Sequence, residues 1–342
     1  MENCKGYTVY QKKRDLCRSL SHSHGSEICV DLRKSTVPLK QDRRVIRVQP
    51  LFVLAALVLA MVGLPPALAG DSSTSSPQLL PPQGPVAQGE VARILVQGVP
   101  AGAAPGGSWQ GEPIGFFPLA NGEWGALLGI DLRLSPGTYP LEVRLQPKGQ
   151  TPVLWKEPVQ VVAKDYGVEH LQLPERMVTL DAKTLKRVKQ EEARFSAVWE
   201  QRSPECYWRE PFLRPLPGTL LSTFGRNRVI NGEERSPHTG LDLRAAVGEP
   251  VLASNSGRIA LVGDFFFHGR AVVIDHGFGL YTMYFHLSEV KVKKGERVER
   301  GAVIGLAGAT GRASGPHLHW GVRLAGARVD PLALLKATGG ET

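Results

Sequence analysis

Short apolar runs separated by glycine or proline dominate the chain on both sides of residues 181–200. Residues 91–96 read VARILV, residues 127–134 read LLGIDLRL and residues 139–145 read YPLEVRL, with Pro136-Gly137 between the last two. Such alternation predicts half-buried β-strands joined by tight turns. The chain of 342 residues contains 38 glycines and 26 prolines, which suits a turn-rich β protein better than a helical bundle. The sequence therefore predicts a mainly β fold.

Residues 181–200 are the exception, because their apolar residues recur with the period of a helix. Asp181 is placed to cap its first turn. We interpret residues 166–214 as a connecting segment that contains this one helix. Residues 86–165 before it are predicted to form a small β-sandwich of immunoglobulin-like kind. Residues 70–85 before that sandwich are rich in serine and proline and predict a flexible linker.

The N-terminal residues read as a targeting segment. Arginines at 43, 44 and 47 precede fourteen apolar residues, 51–64, and Ala67-Leu68-Ala69 follows. A basic stretch, a short apolar run and an A-x-A site are typical of a secretory signal peptide. We therefore expect a signal peptide at residues 45–69, and we interpret residues 1–44 as an extension from a start codon assigned too far upstream. Fourteen residues are short against the roughly 20 that span a bilayer, so no stable membrane insertion is expected after cleavage.

The net charge of +9 raises the question of nucleic-acid binding, but the basic residues are unevenly distributed. Residues 1–69 contain 11 of the 41 Lys and Arg residues and 5 of the 32 acidic ones. The rest of the chain has 30 basic and 27 acidic residues, a net charge of only +3, without a long basic run. The charge distribution therefore predicts no binding of nucleic acid, and the signal segment predicts an exported protein.

Several histidines and one aspartate fall in strand-like runs after residue 215. His238 and Asp242 are four residues apart, so both face the same side of an extended strand, and His317 and His319 in GPHLHWGV do likewise. His286 lies in a third run between them. Two imidazoles and one carboxylate suit zinc, and spare imidazoles beside a zinc site can act as general bases. The spacing does not decide which of His317 and His319 would bind metal, and His22-Ser23-His24 has the same spacing in an unrelated setting.

Residues 248–263 and 295–311 resemble each other. Both begin with Gly-Glu-x-Val and end in a glycine-rich turn, which is typical of the hairpins of a barrel-sandwich hybrid. Carrier domains with related hairpins present a modifiable lysine at the tip, whereas this chain has Asn255-Ser256-Gly257 there. A carrier function is therefore excluded.

Six ordered segments between residues 215 and 336 resemble the lysostaphin-type, LytM-like zinc endopeptidases of bacterial cell walls. They are STFG, HTGLD, GEPVLASNSGRI, VVIDHGFGLYTMYFHLS, GERVERGAVIGLAGATGRASGPHLHWGV and VDP. The resemblance implies a β-sandwich or barrel-sandwich-hybrid peptidase domain over residues 215–336. It implies one zinc ion bound by His238, Asp242 and His319, with His286 and His317 as catalytic histidines.

The function implied by this resemblance is hydrolysis of peptide cross-links in peptidoglycan, of the D-alanyl–diaminopimelate type in preference to oligoglycine. A non-catalytic wall-binding or hydrolase-activating protein on the same scaffold is the alternative. Where the family often has an arginine two residues after Phe-Gly, this chain has Asn227 between Arg226 and Arg228, so no role is assigned there. His268 and His276 are expected to be structural, and His170 is expected to pack or to face solvent.

Overall fold

The computed structural model of the protein describes residues 76–341. The predicted extension at residues 1–44 and signal peptide at residues 45–69 lie outside the described residues. Within residues 76–341, no helix is long and apolar enough to cross a membrane.

The first nine strands form two mainly antiparallel sheets that share one apolar core. The strands are β1 (Gln78–Leu80), β2 (Val86–Ala87), β3 (Val91–Gln97), β4 (Pro105–Trp109), β5 (Glu112–Ile114), β6 (Phe116–Pro118), β7 (Trp124–Gly129), β8 (Gly137–Leu145) and β9 (Val153–Val162). One sheet has the order β1-β3-β7-β6 and the other β2-β9-β8-β4-β5. Ile94 and Leu128 of the first sheet and Leu141 of the second are fully buried in the shared core. The predicted two-sheet arrangement is present, and its immunoglobulin-like character stays a prediction.

The predicted linker is partly ordered, so the prediction of a flexible tether is wrong for its second half. Strand β1 pairs antiparallel with β3, with Leu79 opposite Val96. Leu79 is only 6% exposed and packs into the core of the two sheets. Burial of one leucine and a strand pairing stabilise a segment whose composition alone indicates a tether.

The connecting segment contains two short elements and one long helix. They are β10 (Val168–Leu171), a 3₁₀ helix (Glu175–Met177) and α1 (Ala182–Trp199). The predicted helix is confirmed together with its cap, because the Asp181 side chain accepts a hydrogen bond from the backbone N of Thr184 at 2.6 Å.

The remaining strands build the C-terminal domain. They are β11 (Leu220–Ser222), β12 (Asn227–Ile230), β13 (Glu233–Arg235), β14 (Gly240–Arg244), β15 (Pro250–Leu252), β16 (Gly257–Phe265), β17 (Gly269–Asp275), β18 (Leu280–Leu287), β19 (Glu289–Val290), β20 (Arg297–Val298), β21 (Val303–Leu306), β22 (His317–Leu324) and β23 (Ala327–Val329). The main sheet has the order β11-β14-β22-β18-β17-β16-β20, with β23 paired to β22. Two smaller sheets, β10-β12-β13 and β15-β21-β19, flank it.

A second helix, α2 (Pro331–Thr338), closes the domain and was not expected from the sequence. The Asp330 side chain caps it by accepting from the backbone N of Leu332 at 2.9 Å. Leu334 and Leu335 are fully buried. Eight residues are too few to show a helical period clearly, so the sequence pattern did not predict α2.

The two faces of the main sheet have different partners. Leu243 of β14 and Leu318 and Trp320 of β22 point to the large core and are fully buried. On the other face, Phe195 and other apolar residues of α1 pack on β16, β17 and β18. The helix thus covers the part of this face formed by β16, β17 and β18. The half formed by β14 and β22 carries the polar residues described next.

Candidate metal centre

Three side chains that could hold a metal ion meet at the junction of β14 and β22. These strands pair antiparallel with Asp242 directly opposite His319, and His238 lies four residues before Asp242. His238 Nε2 is 3.1 Å from Asp242 Oδ1 and 3.0 Å from His319 Nδ1, and His319 Nδ1 is 2.9 Å from Asp242 Oδ1. Three ligands about 2.0–2.1 Å from a tetrahedral zinc would be about 3.3 Å apart. The three atoms are therefore close to the arrangement that a single zinc ion requires.

The tautomer of His238 follows from its backbone contact. His238 Nδ1 lies 2.9 Å from the carbonyl oxygen of Thr223, which can only accept, so Nδ1 carries the proton. The Nε2 lone pair is then directed at the other two donors. A hydrogen bond on the far nitrogen of a ligating histidine fixes the ring and raises its basicity.

The carboxylate of Asp242 has a second partner that the sequence did not reveal. Arg228 Nη2 donates to Asp242 Oδ2 at 3.3 Å, and Arg228 Nε donates to Glu169 Oε2 at 3.1 Å. Glu169 comes from the connecting segment, because β10 pairs in parallel with β12 and places Glu169 opposite Arg228. A pairing across 59 residues has no local signal, so sequence reasoning missed this arginine.

His286 and His317 lie beside the three donors with matching orientations. His286 Nδ1 donates to the carbonyl oxygen of Thr310 and His317 Nδ1 to that of Gly315, each at 2.8 Å. In the neutral form of each ring the lone pair is therefore on Nε2. Their centroids are 4.7 Å apart, and His317 Nε2 is 3.8 Å from Asp242 Oδ1. All five residues that the sequence singled out are thus close together.

A β-bulge brings His286 to this face. In β18, Phe285 is opposite His319 and stacks on it, so simple alternation would send the next side chain to the other face. The register between β17 and β18 shifts between Arg270 and Val272, and His286 has a φ of 64°. Two residues of β18 therefore oppose one of β17, which redirects the imidazole.

Burial and neighbouring charges shift the ionisation of these groups. Burial alone would raise the pKa of Asp242, but the adjacent imidazoles of His238 and His319 outweigh this effect and hold it well below its usual range. Burial lowers the pKa of His286 to about 3, with the charges of His317 and His319 adding to the effect. Burial likewise lowers the pKa of His319 to about 4, against the opposing effect of Asp242. An anionic carboxylate with neutral imidazoles is the form that binds a metal cation.

The other histidines differ in their surroundings. His276 is fully buried, and its Nδ1 donates to Ser256 O at 2.8 Å while Thr282 Oγ1 lies 2.7 Å from its Nε2, which confirms the expected structural hydrogen bonding. His170 is exposed on β10. His268, expected to be structural, lies at the rim of the centre with its ring 4.4 Å from that of Phe285.

A family model and several known proteins are similar to this chain. Residues 236–331 match the family described as "Peptidase family M23". The peptidoglycan DD-endopeptidase ShyA of Vibrio cholerae is 42% identical over 114 residues, 33% of this chain and 26% of that protein. The DD-carboxypeptidase/endopeptidase Mpg of Neisseria meningitidis is 44% identical over 101 residues, 30% of this chain and 23% of that protein. The chain spans about a quarter of the length of these curated relatives.

The similarity extends further in one solved structure. A crystal structure of a Pseudomonas aeruginosa protein described as an M23 peptidase is 35% identical in sequence to this chain, and the two structures align with a TM-score of 0.58. The match covers 75% of this chain and 96% of that one, so it includes residues well outside 236–331. With its mainly β fold and its His-Asp-His centre, the chain belongs to peptidase family M23.

Proposed function

We propose that this protein is a zinc metalloendopeptidase that hydrolyses peptide cross-links of peptidoglycan. Zinc is the cofactor of M23 peptidases, and the group formed by His238, Asp242 and His319 fits it. The observation that carries the proposal is the arrangement of His286 and His317 beside that group, each with Nδ1 bonded to a backbone carbonyl, which leaves Nε2 as the nitrogen that can act on a substrate. A protein that only bound the wall would not need two oriented imidazoles next to a metal centre.

Zinc bound here would lower the pKa of a coordinated water to about 7 and polarise the scissile carbonyl. In our proposal His238, Asp242 and His319 hold the metal, and Arg228 orients the Asp242 carboxylate. His317 and His286 accept a proton at Nε2 and, once protonated, donate hydrogen bonds to the developing oxyanion. The pKa of His286, about 3, favours the neutral imidazole in the resting protein.

The cross-link that we favour is the D-alanyl–diaminopimelate bond. ShyA and ShyB of Vibrio cholerae, each 42% identical over part of the chain, are described as peptidoglycan DD-endopeptidases, and Mpg as a DD-carboxypeptidase/endopeptidase. An enzyme acting on peptidoglycan works outside the cytoplasmic membrane. We therefore propose an exported protein, periplasmic or associated with the cell wall, with residues 45–69 as its signal peptide and residues 215–336 as its catalytic domain.

Digestion of purified peptidoglycan tests the proposal. The zinc-loaded protein is incubated with sacculi, and mass spectrometry identifies the released fragments. We expect monomeric stem peptides that end in D-alanine together with free diaminopimelate amines. His170→Ala serves as a control because this residue is exposed on β10. Zinc-loaded protein that binds sacculi and releases nothing would favour the non-catalytic alternative instead.

A further inference from the structure

Arg312 is held in a fixed position in the loop between β21 and β22. Its guanidinium lies over the ring of Phe267, 4.1 Å from the centroid, and Nη1 donates to the carbonyl oxygen of Met177 at 3.3 Å. Its backbone N donates to Phe267 O at 3.0 Å. The turn that contains Phe267 is itself anchored to α1, since Phe266 N donates to Glu191 Oε2 at 2.8 Å. Three contacts therefore fix the position of this charge.

The guanidinium of Arg312 has no carboxylate partner within residues 76–341. Arg228 pairs with Glu169 and Asp242, and Arg235 pairs with Glu233, whereas Arg312 forms no such ion pair in this part of the chain. Burial lowers the pKa of Arg312, and the charges of Arg228 and Arg235 add to this. A partly desolvated cation among other cations gains free energy when an anion binds to it.

The position of Arg312 relates it directly to the metal centre. Thr310, two residues earlier, accepts the hydrogen bond from His286 Nδ1, and His317 follows five residues later. His268, which follows Phe267, accepts the hydrogen bond from His286 N at 2.9 Å. The turn at Phe267-His268 thus bonds to the backbone of both His286 and Arg312, which places Arg312 in the segment that also holds the imidazole of His286.

None of the nitrogens of Arg312 is buried without a partner. Within residues 76–341, only Nη1 of this guanidinium donates a hydrogen bond, so its Nε and Nη2 donors remain available to a ligand. A guanidinium presents its N–H groups in a planar fork that matches a carboxylate. The side chain of Arg312 therefore has the chemistry of a carboxylate-binding group.

We propose that Arg312 binds the free carboxylate of diaminopimelate and so makes the protein specific for cross-links that contain it. This inference rests on the proposed peptidase function. In a D-alanyl–diaminopimelate cross-link, the carbon bonded to the scissile nitrogen also carries a free carboxylate. In a lysine-type cross-link, the carbon bonded to the scissile nitrogen has no carboxylate. The same is true of an internal bond of an oligoglycine bridge. Arg312 thereby selects the substrate by its charge next to the bond that is cut.

Two soluble muropeptide dimers test this inference on the full chain. They are identical except that one has a D-alanyl–diaminopimelate link and the other a D-alanyl–lysine link. We expect the wild type to have the lower KM for the diaminopimelate dimer. Arg312→Gln should raise that KM about 10- to 100-fold, with kcat and all constants for the lysine dimer little changed, because one charge-assisted carboxylate interaction is lost. Arg312→Lys should fall between, since an ammonium keeps the charge without the fork.

The controls separate specificity from a loss of structure. Arg235→Gln removes an equal charge from an arginine that is paired with Glu233, and no change is expected. Retained hydrolysis of the lysine dimer shows that Arg312→Gln is folded. Equal damage to both substrates, or a wild type that does not distinguish them, would overturn the inference.

A wild type that hydrolyses neither dimer would count against the proposed function and not against this inference. Calorimetric titration of uncleaved dimers into the zinc-loaded protein tests the inference independently of turnover. We expect the diaminopimelate dimer to bind more tightly than the lysine dimer to the wild type and equally to Arg312→Gln. Equal binding of both dimers to the wild type would refute the role of Arg312.

Discussion

Arg228 Nη2 lies 3.3 Å from Asp242 Oδ2, while Oδ1 of the same carboxylate faces His238 and His319. The two oxygens of Asp242 thus have different partners. Oδ1 faces the two histidines of the candidate metal centre, and Oδ2 faces the guanidinium of Arg228. Arg228 is fixed in turn by Glu169 from the connecting segment. The geometry of the metal centre therefore depends on a residue outside the domain that contains it.

Replacing Arg228 should weaken metal binding. Arg228→Gln leaves Asp242 Oδ2 without its cation, so the carboxylate is less well oriented, and partners of this kind typically contribute 10- to 100-fold in metal affinity. Competition with a chromogenic chelator measures the dissociation constant for zinc. Arg226→Gln is the matched control, because within residues 76–341 the Arg226 side chain donates only to a backbone oxygen, that of Val168. Equal zinc affinity in Arg228→Gln and wild type would contradict the positioning role.

A methyl group at Gly240 should displace His319. A Cβ at Gly240 would lie 2.6 Å from His319 Nε2 and 2.6 Å from the carbonyl oxygen of Trp320. Gly240→Ala should therefore reduce zinc affinity together with activity. Gly106→Ala is the control, since nothing lies within 4 Å of a Cβ there and its φ is not positive. Unchanged zinc affinity in Gly240→Ala would show that His319 is not held by this contact.

The two histidines of GPHLHWGV should respond differently to replacement. His319→Ala should lose zinc, because it removes one of three donors. His317→Ala should keep zinc and lose about 10²- to 10⁴-fold in kcat, the usual contribution of a proton-transferring side chain. Metal content by mass spectrometry and turnover of a peptidoglycan dimer separate the two effects. Similar zinc loss in both variants would mean that their roles are wrongly divided.

His276 should make the fold sensitive to acid. Burial lowers the pKa of His276 to about 4 from an ordinary value near 6.5, so the unfolded chain binds the proton more readily than the folded one. The free energy that folding gains from keeping His276 neutral is fully present above pH 6.5. It is lost as the pH falls from 6.5 towards 4.

Denaturant unfolding at pH 7 and pH 5 measures this effect. The wild type should lose roughly 2 kcal/mol more than His276→Gln between these pH values. The glutamine amide can still donate to Ser256 O, so the buried position keeps one hydrogen bond. The same loss in both proteins would show that His276 does not contribute to the pH dependence.

Much of the fold could be predicted because its signals are local. Alternating apolar residues and glycine-bounded turns indicated the mainly β architecture, and Asp181 marked the start of α1. The linker prediction failed at residues 78–80, where composition indicated a tether but Leu79 reaches a core formed by distant strands. Composition describes only the segment itself, whereas burial depends on what that segment meets.

For the site, the sequence by itself determined the set of side chains, since His238, Asp242, His286, His317 and His319 stand at positions that its strand pattern and family resemblance singled out. Only the tertiary structure decided how they are oriented. The bulge at His286 comes from the register of two paired strands, and the pairing of β10 with β12 brings Glu169 to Arg228. The packing of Arg312 on Phe267 joins two separate loops. Each of these depends on contacts between residues far apart in the chain, which no local pattern encodes.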